Sequence, residues 1–253
     1  MGERLYLITG HSRGLGAALT AALLRPGHRV IGLSRRANES LAQAAAASGA
    51  LLEQWPADLA EPLPVAQRLR ETLTACEPGR YEHAVLINNA GVVATPTALR
   101  DADLAGLATT LRVDLEATAL LCAAFLDATR AWRGQRRVLN ISSGLGRRPM
   151  ASSAGYCAAK AGMDHLTRCL ALEEALVPNG ARVMSLAPGV IDTDMQVQLR
   201  EADASQFPDR ERFVALQREG QLVSAEATAR RVLAILDRED FGTSPIGDVR
   251  EAG

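Results

Sequence analysis

Short apolar runs alternate with helix-length amphipathic stretches along most of the chain, and this rhythm limits the fold more than any other feature. Leu5–Thr9, Arg29–Ser34, Leu51–Trp55, His83–Asn88, Arg137–Ser143 and Arg182–Ala187 read as strands. Between them, Leu15, Leu19 and Leu23 fall on one helical face. Further helices are expected near Leu41–Ala50, over Val65–Cys76, within Leu104–Trp132 and over Ala154–Val177. Such alternation builds βαβ units and a parallel sheet covered on both faces. The tail from Gly242 has room for one more short strand. The expectation is an α/β fold: a single Rossmann-type domain over 1–253, with a doubly wound parallel sheet of about seven strands flanked by helices.

One segment breaks the rhythm. Thr193 to Val223 is polar and rich in Gln, Arg, Asp and Glu, before Ser224 caps a regular helix through Leu236. Strand C-terminal ends face the ligand crevice in open α/β sheets, so this excursion is expected to cover a substrate.

Composition excludes several function classes. A formal charge of −1 supplies no field for nucleic acid or an anionic membrane. The cysteines Cys76, Cys122, Cys157 and Cys169 have no CxxC spacing and no histidine cluster nearby, so no metal site is expected and the thiols read as reduced. Leu5 to Ile8 is too short for a signal h-region, and Ala117–Leu126 is roughly half a membrane span. A soluble, cytoplasmic enzyme is the expectation.

Three motifs carry chemistry. Thr9-Gly10-His11-Ser12-Arg13-Gly14-Leu15-Gly16 joins the first strand to the first helix, where glycines let the backbone approach a pyrophosphate. Its spacing is TGxxxGxG rather than GxGxxG. Asn88-Asn89-Ala90-Gly91 ends the fourth strand, where side-chain amides can tie neighbouring strand ends together. Tyr156 and Lys160 lie four residues apart on a predicted helix and share a face. Lys160 is the sole lysine; every other basic residue is arginine. A compact ammonium is something a planar guanidinium cannot imitate. Beside a phenol it favours the phenolate and lowers the phenol's pKa, making Tyr156 a usable general acid. Ser143, at the predicted end of strand five, is within reach of the same carbonyl oxygen.

With these residues together, the chain resembles the short-chain dehydrogenase/reductase family from Leu5 to about residue 195. TGxxxGxG, Asn88-Asn89-Ala90-Gly91, Ser143, Tyr156, Lys160 and Pro188-Gly189-Val190-Ile191-Asp192-Thr193 occur in the family's order. The resemblance implies Tyr156 as general acid/base, Ser143 as carbonyl polariser, and Lys160 as a ligand of the nicotinamide ribose. The catalytic set also includes Asp114, in Val113-Asp114-Leu115, where the family commonly places an asparagine that helps hold a proton-relay water. The implied cofactor contacts are Gly10, Ser12, Arg13, Gly14, Leu15 and Gly16, with Ser34 and Arg35 after strand two. Asp58 and Leu59, Asn89, Ala90 and Gly91, Pro188, Gly189 and Val190, and Thr193 complete them.

Charge selects the cofactor form. An acidic residue after strand two would repel a 2′-phosphate, but Ser34 stands there, followed by Arg35 and Arg36, with Arg13 in the glycine motif. NADP(H) is therefore expected. The C-terminal third is similar to the sepiapterin-reductase branch of the family and its bacterial relatives, some of which reduce 1,2-diketones such as benzil. By that resemblance Asp248 is a substrate anchor, beside Ser143 and Tyr156. Reduction of a ketone or vicinal dicarbonyl leads; an NADP-dependent alcohol dehydrogenase and a catalytically silent NADP(H)-binding sensor are the alternatives. The helical stretches 104–132 and 154–177 are apolar over more than one face, and the resemblance implies a homodimer or homotetramer.

Overall fold

Residues 3–251 are described in a computed structural model of the chain. Its strands are β1 (Glu3–Thr9), β2 (His28–Ser34), β3 (Leu51–Pro56), β4 (Tyr81–Asn88), β5 (Gln135–Ile141), β6 (Arg182–Ala187) and β7 (Ile246–Asp248). They form one parallel sheet in the order β3-β2-β1-β4-β5-β6-β7. The strand order reverses between β1 and β4, and at such a point the C-terminal strand ends part into a crevice. The helices are α1 (Gly14–Leu23), α2 (Glu39–Ser48), α3 (Pro62–Thr74), α4 (Leu104–Leu111), α5 (Ala117–Thr129), α6 (Ala154–Ala175), α7 (Asp194–Arg200), α8 (Arg210–Arg218) and α9 (Ala225–Leu236).

Side-chain alternation along β1 divides the core in two, because successive residues of a strand point to opposite faces. Leu5 and Leu7 pack with Leu69 and Leu73 of α3, and Leu121 and Phe125 of α5. Tyr6 and Ile8 pack with Leu15, Leu19 and Leu23 of α1, and Val232 and Ile235 of α9. Both faces of the sheet are thus covered, which is why its strands read as apolar runs rather than alternating ones. Among the described residues no helix is long and apolar enough to cross a membrane. The four cysteines are free thiols, and burial pushes that of Cys122 up to about 12.

Two boundaries differ from the sequence reading in ways that affect the site. Strand β5 stops at Ile141, so Ser142 and Ser143 belong to the turn that follows. The helical material expected through Leu104–Trp132 is interrupted by a π turn over Arg112–Glu116, and α5 ends at Thr129. Periodicity cannot register one wide turn inside an otherwise apolar helical run, and such turns concentrate at functional sites. The polar excursion is also more ordered than its composition implies. It contains α7 and α8, and Leu199, Ala202 and Phe207 form a small core against Val93, Met150 and Phe213. A bridge between Ile191 and Val223 closes its base. The predicted cap on α9 is present: Ser224 Oγ accepts the Ala227 amide at 3.1 Å.

Candidate active site

The glycine motif is built for close approach. Gly10 and Gly14 have φ of +68° and +52°, values that side chains other than glycine rarely tolerate. A Cβ on Gly16 would stand 2.1 Å from the Gly10 carbonyl oxygen, so the first turn of α1 lies directly against the loop. Leu15 is buried beneath that turn. Replacing Gly16 with Ala is expected to cost about 1–3 kcal/mol of stability, because backbone rather than a flexible side chain must move. A denaturant midpoint matching the parent chain would refute this.

Arg13 caps α1 with no side-chain hydrogen bond, leaving the first-turn amides open to an anion. A dinucleotide pyrophosphate fits these donors. Thr9 Oγ1 accepts the amides of Asn89 and Ala90 at 2.9 Å each, and Asn89 Nδ2 donates to the Thr9 carbonyl at 2.9 Å. The ends of β1 and β4 are therefore tied together at the crevice, as the amide-rich motif implied.

Three residues that sequence reasoning overlooked brace this loop. His11 is fully buried under Gly32, and its Nε2 lies 2.8 Å from Gln54 Oε1. Gln54 also accepts the Asn38 amide at 2.6 Å, while Asn38 Nδ2 donates to the Ser12 carbonyl at 2.9 Å. The network links the glycine loop to the segment carrying Ser34 and Arg35. Ser34 Oγ donates to the Arg36 carbonyl at 2.6 Å, and both arginines are exposed. Asp58 is exposed and accepts the Ala60 amide at 3.0 Å, beside buried Leu59. Arg13 reaches across the crevice to Asp194, at 2.7 Å, and Thr193 lies against Gly14. Gly189 has φ +82°, and the Val190 carbonyl accepts the Val223 amide. Pro188-Gly189-Val190 thereby connects β6 to the base of the excursion.

Helix α6 delivers Tyr156 and Lys160 to the same crevice. Lys160 is 3% exposed; its Nζ lies 5.6 Å from the Tyr156 ring centroid and donates to the Ile141 carbonyl at 3.1 Å. Ser143 Oγ accepts the Leu145 amide at 3.1 Å, which leaves its own proton free for a substrate oxygen. Asn88 Nδ2 donates to Asn140 Oδ1 at 2.9 Å and Asn140 Nδ2 to Thr167 Oγ1 at 2.9 Å, joining β4, β5 and α6 behind the site. A polar residue inside the apolar run Val138-Leu139-Asn140-Ile141 was the available signal for that network.

The electrostatics set the surroundings against the expected pull of Lys160. Burial raises the Tyr156 phenol above its ordinary value; Lys160 and Ser143 oppose this, while Asp114 and Cys157 add to it. Lys160 thus acts in the expected direction, and the net shift is upward. The sequence reading weighed the ammonium but not the desolvation. Burial also works against the Lys160 ammonium, yet Asp114 and Tyr156 carry it above the usual lysine value.

Asp248, the expected substrate anchor, ends β7 beside Ala187. It is 5% exposed, and Arg250 grips its carboxylate with Nε at 2.8 Å and Nη2 at 2.6 Å. A cationic substrate group would have to compete with Arg250 for that charge. A cleft of about 550 Å³ opens beside Tyr156, bordered by Val93, Thr95, Leu107, Gln198 and Gln206. The excursion closes over it through Gln198 Nε2 to the Val93 carbonyl at 3.1 Å and Ser152 Oγ to the Gln206 carbonyl at 2.6 Å.

Comparison with known proteins agrees with this geometry. The model of the short chain dehydrogenase family matches residues 4–204. A benzil reductase ((S)-benzoin forming) of Bacillus cereus is 35% identical over 246 residues, covering 97% of this chain and 98% of the relative. Sepiapterin reductase of Rattus norvegicus is 35% identical over 256 residues, covering 95% and 94%. Among solved structures, the KRED1-Pglu enzyme superposes with a TM-score of 0.79 at 28% identity, covering 94% of this chain and 98% of that one. A putative 2-deoxy-d-gluconate 3-dehydrogenase of Agrobacterium tumefaciens with bound NADP gives 0.79 at 25% identity, covering 98% and 95%. By its family model over residues 4–204 and its relatives at 35% identity, the chain belongs to the short-chain dehydrogenase family of oxidoreductases.

Proposed function

We propose that this protein is an NADP(H)-dependent carbonyl reductase acting on ketones or vicinal dicarbonyls, with benzil- and sepiapterin-like compounds as candidate substrates. The observation that supports the reading is Tyr156 on the wall of a cleft, with the Lys160 ammonium 5.6 Å from its ring and the Ser143 hydroxyl beside its phenol. A nicotinamide cofactor held by the glycine loop and Lys160 would supply hydride for the carbonyl carbon. Tyr156 gives its phenolic proton to the carbonyl oxygen, Ser143 donates a hydrogen bond to that oxygen, and solvent returns the proton to Tyr156. Exposed Arg13, Arg35 and Arg36 near the end of β2, with no carboxylate at Ser34, support NADP(H) over NAD(H). The names of the bacterial and mammalian relatives support a dicarbonyl or pterin-like substrate.

A carbonyl panel containing benzil and sepiapterin, followed by NADPH consumption, tests the reading. Turnover of a dicarbonyl is the expected result, and NADPH binding with no turnover across the panel would overturn it. Asp248 as a substrate contact belongs to the same proposal, as does Asp114, expected in the catalytic set, as the residue that pairs with Lys160 behind the reacting groups.

A homo-oligomer also belongs to it. Leu172 and Leu176, one turn apart at the end of α6, are 72% and 86% exposed, an unusual position for leucine pairs unless a partner covers them. Replacing both with Glu is expected to lower the solution mass measured by light scattering. An unchanged mass would move the interface elsewhere.

A further inference from the structure

Directly behind Tyr156 lies an ion pair sealed from solvent. Asp114 is fully buried, and its Oδ2 stands 3.5 Å from Lys160 Nζ. Its Oδ1 accepts the Val92 amide at 2.8 Å, while Oδ2 has no hydrogen-bond partner. The π turn over Arg112–Glu116 carries Asp114 inward, and Gly91 admits the pair: a Cβ there would lie 3.3 Å from Asp114 Oδ2 and 3.5 Å from Lys160 Nζ. A buried ammonium without a partner is costly, and removing one member of such a pair strands the other.

The other charged and titratable groups around this centre are few. Asp164 also faces Lys160 from α6, but Arg147 holds it at 3.2 Å and Ser185 Oγ donates to it at 2.6 Å. Its charge is already balanced. Cys157 and Ser143 face Tyr156, from α6 and from the turn after β5, and Ile141 contributes only its carbonyl to Lys160. Burial pushes the Asp114 carboxyl above the usual carboxylate range, while the Lys160 ammonium and the Val92 amide hold it down; at 3.5 Å it is the carboxylate left to answer Lys160. An unbalanced ammonium would stabilise a phenolate at Tyr156; an ammonium paired with a carboxylate exerts far less pull.

We propose that Asp114 is a positioning residue that balances the charge of Lys160 and so biases Tyr156 toward its protonated form. It touches neither substrate nor the reacting atoms, and acts through Lys160. The catalytic consequence rests on the reductase reading, while the charge coupling itself does not. The pattern resembled in the sequence carries a neutral asparagine here, so the bias is a property of this chain's own residue.

The chain's composition makes the test direct, because it holds three tyrosines and a single lysine. In the full-length protein carrying isotope-labelled tyrosine and lysine, NMR follows three phenols, with Tyr156 identified by its loss in Tyr156→Phe, and one ammonium. Asp114→Asn is expected to lower the Tyr156 titration midpoint by about one pH unit or more. The Lys160 midpoint should fall with it. Asp114→Glu should restore the parent value, and Asp114→Ser should repeat the shift if the Asn variant packs poorly. In the oxidative direction, with an alcohol and NADP⁺, the acid limb of the pH–rate profile should move to lower pH in Asp114→Asn. A Tyr156 midpoint within a few tenths of the parent in both Asp114→Asn and Asp114→Ser would overturn the coupling. Shifted midpoints in a chain that reduces no carbonyl would refute the reductase reading and leave the coupling standing.

Discussion

Tyr156→Phe is expected to lower kcat for carbonyl reduction by about 10²–10⁴, the range for loss of a positioned general acid. The substitution removes one oxygen and leaves the ring, so the packing of α6 is retained. Lys160 keeps its hydrogen bond to Ile141 and its ion pair with Asp114, neither of which involves the phenol. NADPH affinity, measured by fluorescence titration, should accordingly stay within a small factor of the parent. The split between turnover and binding is the informative result. Substantial residual turnover would mean that the proton comes from elsewhere, and Ser143 would then be the next residue to replace. Equal loss of turnover and cofactor affinity would mean that the phenol supports the cofactor rather than the substrate.

The second large effect concerns cofactor choice. Arg13→Ala combined with Arg35→Ala should weaken NADPH far more than NADH. Each charge-assisted contact to a phosphate contributes about 1.5–3 kcal/mol, so two together amount to roughly 10²–10⁴ in relative affinity. Arg13 is already paired with Asp194, but both side chains are largely exposed, and such surface pairs contribute less than about 1 kcal/mol. A phosphate dianion competes with that easily. Dissociation constants for both cofactors on the double variant test the point. Equal weakening of NADPH and NADH would remove both arginines from 2′-phosphate recognition.

Much of the architecture was legible in the residues because local rules and the global fold agree. Strands buried on both faces read as apolar runs, and β2, β3 and β6 match their predicted spans to within a residue. The cap at Ser224 set the start of α9 for a local reason. The candidate site was legible where its chemistry depends on short spacing. Tyr156 and Lys160 are neighbours on one helical face, and the solitary lysine marked them. Long-range contacts left no such trace. The bracing of the glycine loop by His11, Gln54 and Asn38 spans 43 residues, and no periodicity encodes it. The grip of Arg250 on Asp248 lies two residues away, yet it depends on side-chain direction after a short strand, which spacing does not reveal.

By itself, then, the sequence determined the parallel sheet, the glycine loop and the identity of the residues proposed to meet a carbonyl. Each of these follows from hydrophobic pattern or from side-chain chemistry at fixed short separation. Tertiary structure decided the electrostatic state of those residues. Lys160 pulls the Tyr156 phenol down as expected, but burial and Asp114 act against the phenolate and leave the phenol raised. The reason is physical: charge–charge terms and desolvation depend on three-dimensional distance and exclusion of water. The π turn that brings Asp114 to 3.5 Å from Lys160 exists only once the helices pack.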